Sequence, residues 1–186
     1  MPVPNNDSHS AEYRKIYPFG KVPCLDVDGM IIGESETINE YLEEKFPTPA
    51  LLPKSPEARA RVRSFTRFHD LYLKPPLRAL FRQMNPKTRD ANLVKDKTAE
   101  LTTRLDELEG RLADSGFATG ADFTLADCAL APTLFFAVNL MPRFGLAALE
   151  GRKKLSASWA HLQARPSVKK ALGEMGEALA ALSRRP

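Results

Sequence analysis

The spacing of apolar positions along this chain changes character near Ser35. Before that point, Val22 to Val27 and Met30 to Gly33 are short apolar-rich runs separated by Asp28-Gly29. That dipeptide tolerates positive φ at both centres of a tight turn, so the pattern predicts an antiparallel hairpin. After it, Ile38, Tyr41, Leu42 and Phe46 recur at three- and four-residue steps, which marks one buried face of a helix. Pro47 and Pro49 are expected to end that helix. Further on, Val62, Phe65, His69 and Tyr72 repeat at helical spacing, as do Leu101, Leu105, Leu108 and Leu112. Both sets predict amphipathic helices, the first kinked by Pro75-Pro76 and ended by Asn85-Pro86, the second closed by Gly116. A helix from Thr124 towards Met141 is apolar nearly all round and must be wrapped by others. Two more, about Arg152 to Leu162 and Val168 to Leu182, are separated by Arg165-Pro166-Ser167.

The fold class that follows is α+β: a small strand-bearing part over residues 1–46, a proline-rich linker over 47–56, and an all-helical part over 57–186. Composition is that of a folding globular chain, with 43% hydrophobic and 27% charged residues among 186. The net charge of +4 is mild, and acidic and basic residues are interspersed, which argues against a nucleic-acid partner. Cys128 to Met141 falls short of the roughly 20 residues a membrane span requires, so no membrane partner is expected. Met1 to Asp7 has neither the basic nor the apolar region of a secretory leader. Cys24 and Cys128, far apart and among apolar neighbours, read as thiols in a reducing compartment, and the expected location is cytoplasmic. His9, His69 and His161 have no ligand-like spacing, and no metal site is expected.

Three separated stretches carry a more specific signal: Phe19-Gly20-Lys21-Val22-Pro23-Cys24-Leu25, then Glu34-Ser35-Glu36-Thr37-Ile38-Asn39-Glu40-Tyr41-Leu42, then Phe123-Thr124-Leu125-Ala126-Asp127. In order and spacing they resemble the cytosolic glutathione S-transferase (GST) superfamily, and Trp159 to Val168 resembles that family's penultimate-to-last helix junction. The resemblance runs from about Tyr13 to Ala171. It implies a thioredoxin-like, glutathione-binding domain followed by an all-helical domain, with glutathione as co-substrate. It further implies that Pro23 is cis, so that the backbone of Val22 pairs with the cysteinyl part of glutathione, while Lys21 meets a glutathione carboxylate. Ser35 would hold the γ-glutamyl carboxylate at a helix N-terminus, an inherent anion site, and Glu34 would take the γ-glutamyl ammonium. By their own chemistry these residues also have plainer readings: Pro23 as a strand-edge proline, Lys21 as a solvated side chain, Ser35 as an N-cap with Glu36 favourable in the first turn. Thr124 and Asp127 read as a structural capping box, with Phe123 and Cys128 as its hydrophobic staple. His69 and Tyr72 lie one turn apart where the family builds its hydrophobic substrate pocket; a core or interface role suits them equally.

The resemblance also implies a leading strand, helix and strand carrying the catalytic Tyr, Ser or Cys. Only Met1 to Tyr17 precede the first motif, and Ala11 to Ile16 already resembles the helix just before it. The thioredoxin-like domain is therefore expected to be incomplete. Tyr13, Tyr17, Ser8 and Ser10 carry suitable groups in the wrong context, so the catalytic residue is unassigned and catalysis by this chain uncertain. The expected partners are glutathione, a small hydrophobic electrophile and a second copy in a homodimer, since a lone hairpin exposes its edge. The alternative reading is a non-catalytic protein-interaction module.

Overall fold

A computed structural model describes residues 7–114 and 116–183. The chain divides into two compact units, Met1–Leu51 and Leu52–Pro186.

In the first unit, Ser10 opens helix α1 (Ala11–Ile16), its hydroxyl accepting the Tyr13 N–H at 3.1 Å. Strand β1 (Cys24–Val27) then pairs antiparallel with β2 (Met30–Gly33), in a register running from Cys24 opposite Gly33 to Val27 opposite Met30. The ladder starts only at Cys24, because Pro23 has no N–H to give it. At the turn, Asp28 and Gly29 have φ of 52° and 91°, and the Asp26 carboxylate accepts the Gly29 N–H at 2.8 Å. The hairpin therefore forms where Asp28-Gly29 placed it. Gly33 is required for a different reason: a Cβ there would collide with the Tyr17 hydroxyl. Helix α2 (Ser35–Lys45) follows directly and buries Ile38. Its Glu43 carboxylate turns back to the chain beyond the helix, accepting the Leu51 N–H at 2.9 and 3.1 Å.

The second unit is entirely helical in its regular structure: α3 (Pro56–Phe68), a π-helical turn His69–Leu73, α4 (Lys74–Phe81), α5 (Ala91–Arg111), α6 (Leu125–Leu140), a 3-10 turn Met141–Phe144, α7 (Lys153–Ala164) and α8 (Pro166–Ser183). Pro56, the last residue of the expected linker, is the first residue of α3, capped by Ser55. Proline at that position loses nothing, because its missing N–H would have no partner in the helix. Pro75-Pro76 does not break the next stretch. Neither proline can donate to the carbonyl four residues back, and the helix answers by widening into the π-helical turn before α4 resumes. Helix α4 stops at Phe81, four residues short of Asn85-Pro86.

The core is a leucine seam. Leu73, Leu80, Leu101, Leu105, Leu108, Leu130, Leu134, Leu140, Leu155 and Leu162 are all fully buried. Helix α6 runs through it. With the 3-10 turn after it, α6 extends over Leu125–Phe144, 20 residues that by length and composition alone could cross a membrane, longer than the Cys128 to Met141 segment had indicated. About two thirds of that stretch (67%) is buried inside the protein, so it is the unit's core helix.

Candidate glutathione site

Helix α2 starts abruptly. The residue before it, Glu34, has φ 64° and ψ 120°, a backbone conformation that costs an ordinary residue on the order of 1–3 kcal/mol. This bend turns the chain from strand to helix within one residue. It also shifts the helix start: Glu34 occupies the N-cap position and Ser35 the first helical turn, whereas the sequence had suggested Ser35 as the cap. Glu34 makes no side-chain hydrogen bond to the helix it precedes. Its carboxylate instead lies 3.6 Å from Lys21 Nζ, both side chains being largely exposed.

That contact brings the two sequence stretches together. Val22 and Ser35, the chain neighbours of Lys21 and Glu34, come to the same end of the hairpin with them. The Val22-Pro23 peptide is cis, and Val22 is 58% exposed. Lys21, Val22, Glu34 and Ser35 thus gather at one end of the hairpin. The arrangement offers an acid, a base, a hydroxyl at a helix N-terminus and an exposed segment of backbone. A zwitterionic peptide with a free carboxylate at one end and an amino acid head at the other has matching groups for each. The Lys21–Glu34 pair would open at little cost, because exposed ion pairs contribute about 0–1 kcal/mol.

The other candidate residues lie in the second unit. His69 is 5% exposed, with Nε2 2.7 Å from Thr133 Oγ1, so it ties the π-helical turn to α6. Burial pushes its pKa down to about 4 against an opposing pull from Asp70, whose carboxylate lies 3.4 Å from Nδ1 but out of line for a hydrogen bond. His69 is accordingly a neutral group at pH 7. Tyr72 is 47% exposed, lies against Phe68 at 5.7 Å between ring centroids, and has the Arg104 guanidinium 5.5 Å over its ring. One turn apart in sequence, His69 points into the core and Tyr72 to the surface.

Thr124 and Asp127 form the capping box at the start of α6. Asp127 Oδ2 accepts the Thr124 N–H at 2.9 Å and its hydroxyl at 3.0 Å, while Oδ1 accepts the Ala118 N–H at 2.8 Å. Burial raises the Asp127 pKa against the hydrogen bonds from Ala118 and Thr124. The box therefore also fastens the loop ahead of α6. Phe123 packs on Phe117, with ring centroids 5.5 Å apart, and beneath the Arg165 guanidinium at 4.1 Å.

Two polar residues that the sequence pattern did not mark, Glu109 and Arg152, and a third, Tyr13, known from it only as a group in the wrong context for catalysis, complete the picture. Glu109 of α5 accepts the Lys154 and Leu155 N–H groups at 2.9 and 2.7 Å, capping α7 from another helix. Arg152 pairs with Asp106, Nε to Oδ1 at 2.8 Å, and donates to the Thr102, Ala147 and Ala148 carbonyls. Tyr13, 2% exposed in the first unit, donates its hydroxyl to the Lys21 carbonyl at 2.7 Å. The contacts of Glu109 with α7 and of Arg152 with α5 span more than 40 residues and leave no periodic trace. Tyr13 did leave one, since Tyr13 and Tyr17 are spaced as one helical face. Among the described residues, no group of three His, Cys, Asp or Glu side chains converges as a metal site.

The fold is an α+β one, a small-sheet, thioredoxin-like first part followed by a helical second one. Residues 1–50 match the family model for the glutathione S-transferase N-terminal domain, and residues 91–164 that for the C-terminal domain. Glutathione S-transferase F10 of Arabidopsis thaliana is 33% identical over 171 residues, covering 88% of this chain and 78% of its own length. A bacterial zeta-class maleyl pyruvate isomerase is similar in structure, with a TM-score of 0.73 and 27% identity over 88% of this chain and 78% of that one. So is a glutathione S-transferase from Methylobacterium radiotolerans in complex with glutathione sulfonate, with a TM-score of 0.73 and 25% identity over 89% and 78%. The chain belongs to the glutathione S-transferase family. The N-terminal domain model matches residues 1–50, so the expectation that a leading strand, helix and strand are missing is not shown.

Proposed function

We propose that this protein binds glutathione at the Lys21, Val22, Glu34 and Ser35 cluster and uses it on a small hydrophobic electrophile, by conjugation or by glutathione-dependent isomerisation. In this reading the γ-glutamyl carboxylate meets the Ser35 hydroxyl and the N-terminus of α2, where backbone N–H groups and the helix dipole favour an anion. The ammonium displaces Lys21 from Glu34, the cysteinyl backbone lies along Val22, and Lys21 turns to the glycyl carboxylate. Conjugation forms a bond from the glutathione sulfur to an electrophilic carbon, with the thiol proton lost and any leaving group departing with its electron pair. In isomerisation the same bond forms and later breaks, returning glutathione. The group that activates the thiol is not assigned. The co-location of Lys21 and Glu34, 3.6 Å apart beside the start of α2, is the observation that supports the site most directly. Relatives support the chemistry: one solved structure is a complex with glutathione sulfonate, and another is a maleyl pyruvate isomerase. A homodimer in the cytoplasm, with the substrate pocket drawing on the Tyr72 surface, belongs to the same proposal. Neither Cys24 nor Cys128 is in a disulfide, which suits a reducing compartment.

Calorimetric titration with glutathione tests the site. Ser35→Ala is expected to weaken binding about tenfold, as the loss of a hydrogen bond to a charged group does. Equal affinity in both proteins rejects this placement. A conjugation assay with an aromatic electrophile then separates enzyme from module: turnover establishes a transferase, whereas binding without turnover favours the non-catalytic interaction module.

A further inference from the structure

Tyr13 sits behind the proposed site rather than in it. Its hydroxyl has a single hydrogen, and the Lys21 carbonyl, 2.7 Å away, can only accept. The same oxygen lies 3.2 Å from Cys24 Sγ. With the phenol proton committed to Lys21, the thiol must be the donor in that second contact. The hydrogen bonds therefore run in one direction, from Cys24 S–H to Tyr13 O–H to Lys21 C=O.

The consequence lies on the other side of the peptide bond. The Lys21-Val22 peptide is trans, unlike Val22-Pro23, and a trans peptide holds its C=O and N–H in one plane pointing opposite ways. Anchoring the Lys21 carbonyl on a buried tyrosine therefore aims the Val22 N–H away from the interior. We propose that Tyr13, with Cys24 behind it, is a positioning residue that orients the Lys21-Val22 peptide to receive the cysteinyl backbone of glutathione. This rests on the glutathione reading above and adds to it a residue that touches no ligand.

The experiment compares Tyr13→Phe with the unaltered protein, binding two ligands followed by NMR titration. One is glutathione. The other is γ-glutamyl dimethylamide, which keeps the γ-glutamyl head but has neither backbone group of the cysteinyl residue. Tyr13→Phe is expected to weaken glutathione about tenfold and to leave γ-glutamyl dimethylamide within twofold. Equal loss for both ligands would mean general damage to the unit and overturn the assignment, as would an unchanged affinity for glutathione. If the unaltered protein binds neither ligand, the glutathione reading fails and the positioning role with it. Should Tyr13→Phe fold poorly, Cys24→Val supplies the second arm, since it removes the thiol donor and keeps the ring; a selective loss of glutathione, smaller than tenfold, is expected.

Discussion

Helices α2 and α7 start in contrasting ways, one in each unit. At α7, the Lys154 and Leu155 N–H groups are taken by the Glu109 carboxylate, so the helix terminus is closed by a charge from a neighbouring helix. At α2, Glu34 adopts a costly backbone conformation, makes no cap with its side chain, and turns its carboxylate to Lys21. The surroundings differ in the same sense. Leu155 and Leu162 of α7 are fully buried, whereas Phe19, Val22, Met30, Leu42 and Phe46 of the first unit make up five of the seven large exposed apolar side chains among the described residues. The second unit closes the start of α7 with its own carboxylate. The first leaves the Lys21 and Glu34 charges and Val22 exposed at the start of α2.

The sharpest way to break this contrast is to open a closed polar group in the second unit. Asp127→Ala leaves the buried N–H groups of Ala118 and Thr124 without their acceptor. Each stranded donor costs about 1–3 kcal/mol, so a loss near 4 kcal/mol is expected in urea denaturation, with a fall in melting temperature to match. A loss under 1 kcal/mol would show that the box does not hold the loop ahead of α6.

Asp127 is also where the sequence was most legible. A capping box is written within four residues, and Thr124 to Asp127 formed it as read. The hairpin turn at Asp28-Gly29 and the helical periods of Leu101 to Leu108 were equally local and equally clear. Two features were misjudged because the deciding fact lay elsewhere. Ser35 looked like a cap, but the turn is made by Glu34 at φ 64°, a conformation that no residue preference announces for glutamate. Pro75-Pro76 was expected to kink or break the helix, and a π-helical turn precedes the prolines where the helix continues into α4. Glu109 and Arg152 act across more than 40 residues of chain, a distance at which no spacing rule applies. The site itself was legible only in part, because Lys21 and Glu34 meet through a side-chain contact made once the hairpin has folded, while Tyr13 reaches the site through a backbone carbonyl.

His69 tests the interior of the second unit by acid. Unfolded, it takes up a proton near its ordinary value of 6.5; folded, burial delays this to about 4. Between those values the unfolded state binds more protons. Stability is therefore full above pH 6.5, declines as the pH falls towards 4, and levels off below, for a total loss of roughly 3 kcal/mol. His69→Gln is expected to flatten that decline, measured as urea midpoints at pH 7 and pH 4.5. A decline unchanged by the substitution would place the acid sensitivity in other groups.

The smallest effect separates the two helix starts directly. Glu109→Gln keeps the length of the side chain but removes the charge that faces the N-terminus of α7, and one acceptor oxygen with it. A loss of about 1 kcal/mol is expected, the size of a good cap together with its dipole interaction. Glu34→Gln removes a carboxylate at the equivalent place on α2, yet its partner Lys21 is exposed and it caps nothing, so stability should stay within about 0.5 kcal/mol of the unaltered protein. Glutathione affinity should respond in the opposite order, falling for Glu34→Gln and unchanged for Glu109→Gln. If Glu34→Gln instead destabilises the protein as much as Glu109→Gln and spares glutathione, the carboxylate at the start of α2 is part of the fold, and the distinction between a closed and a ligand-directed helix start disappears.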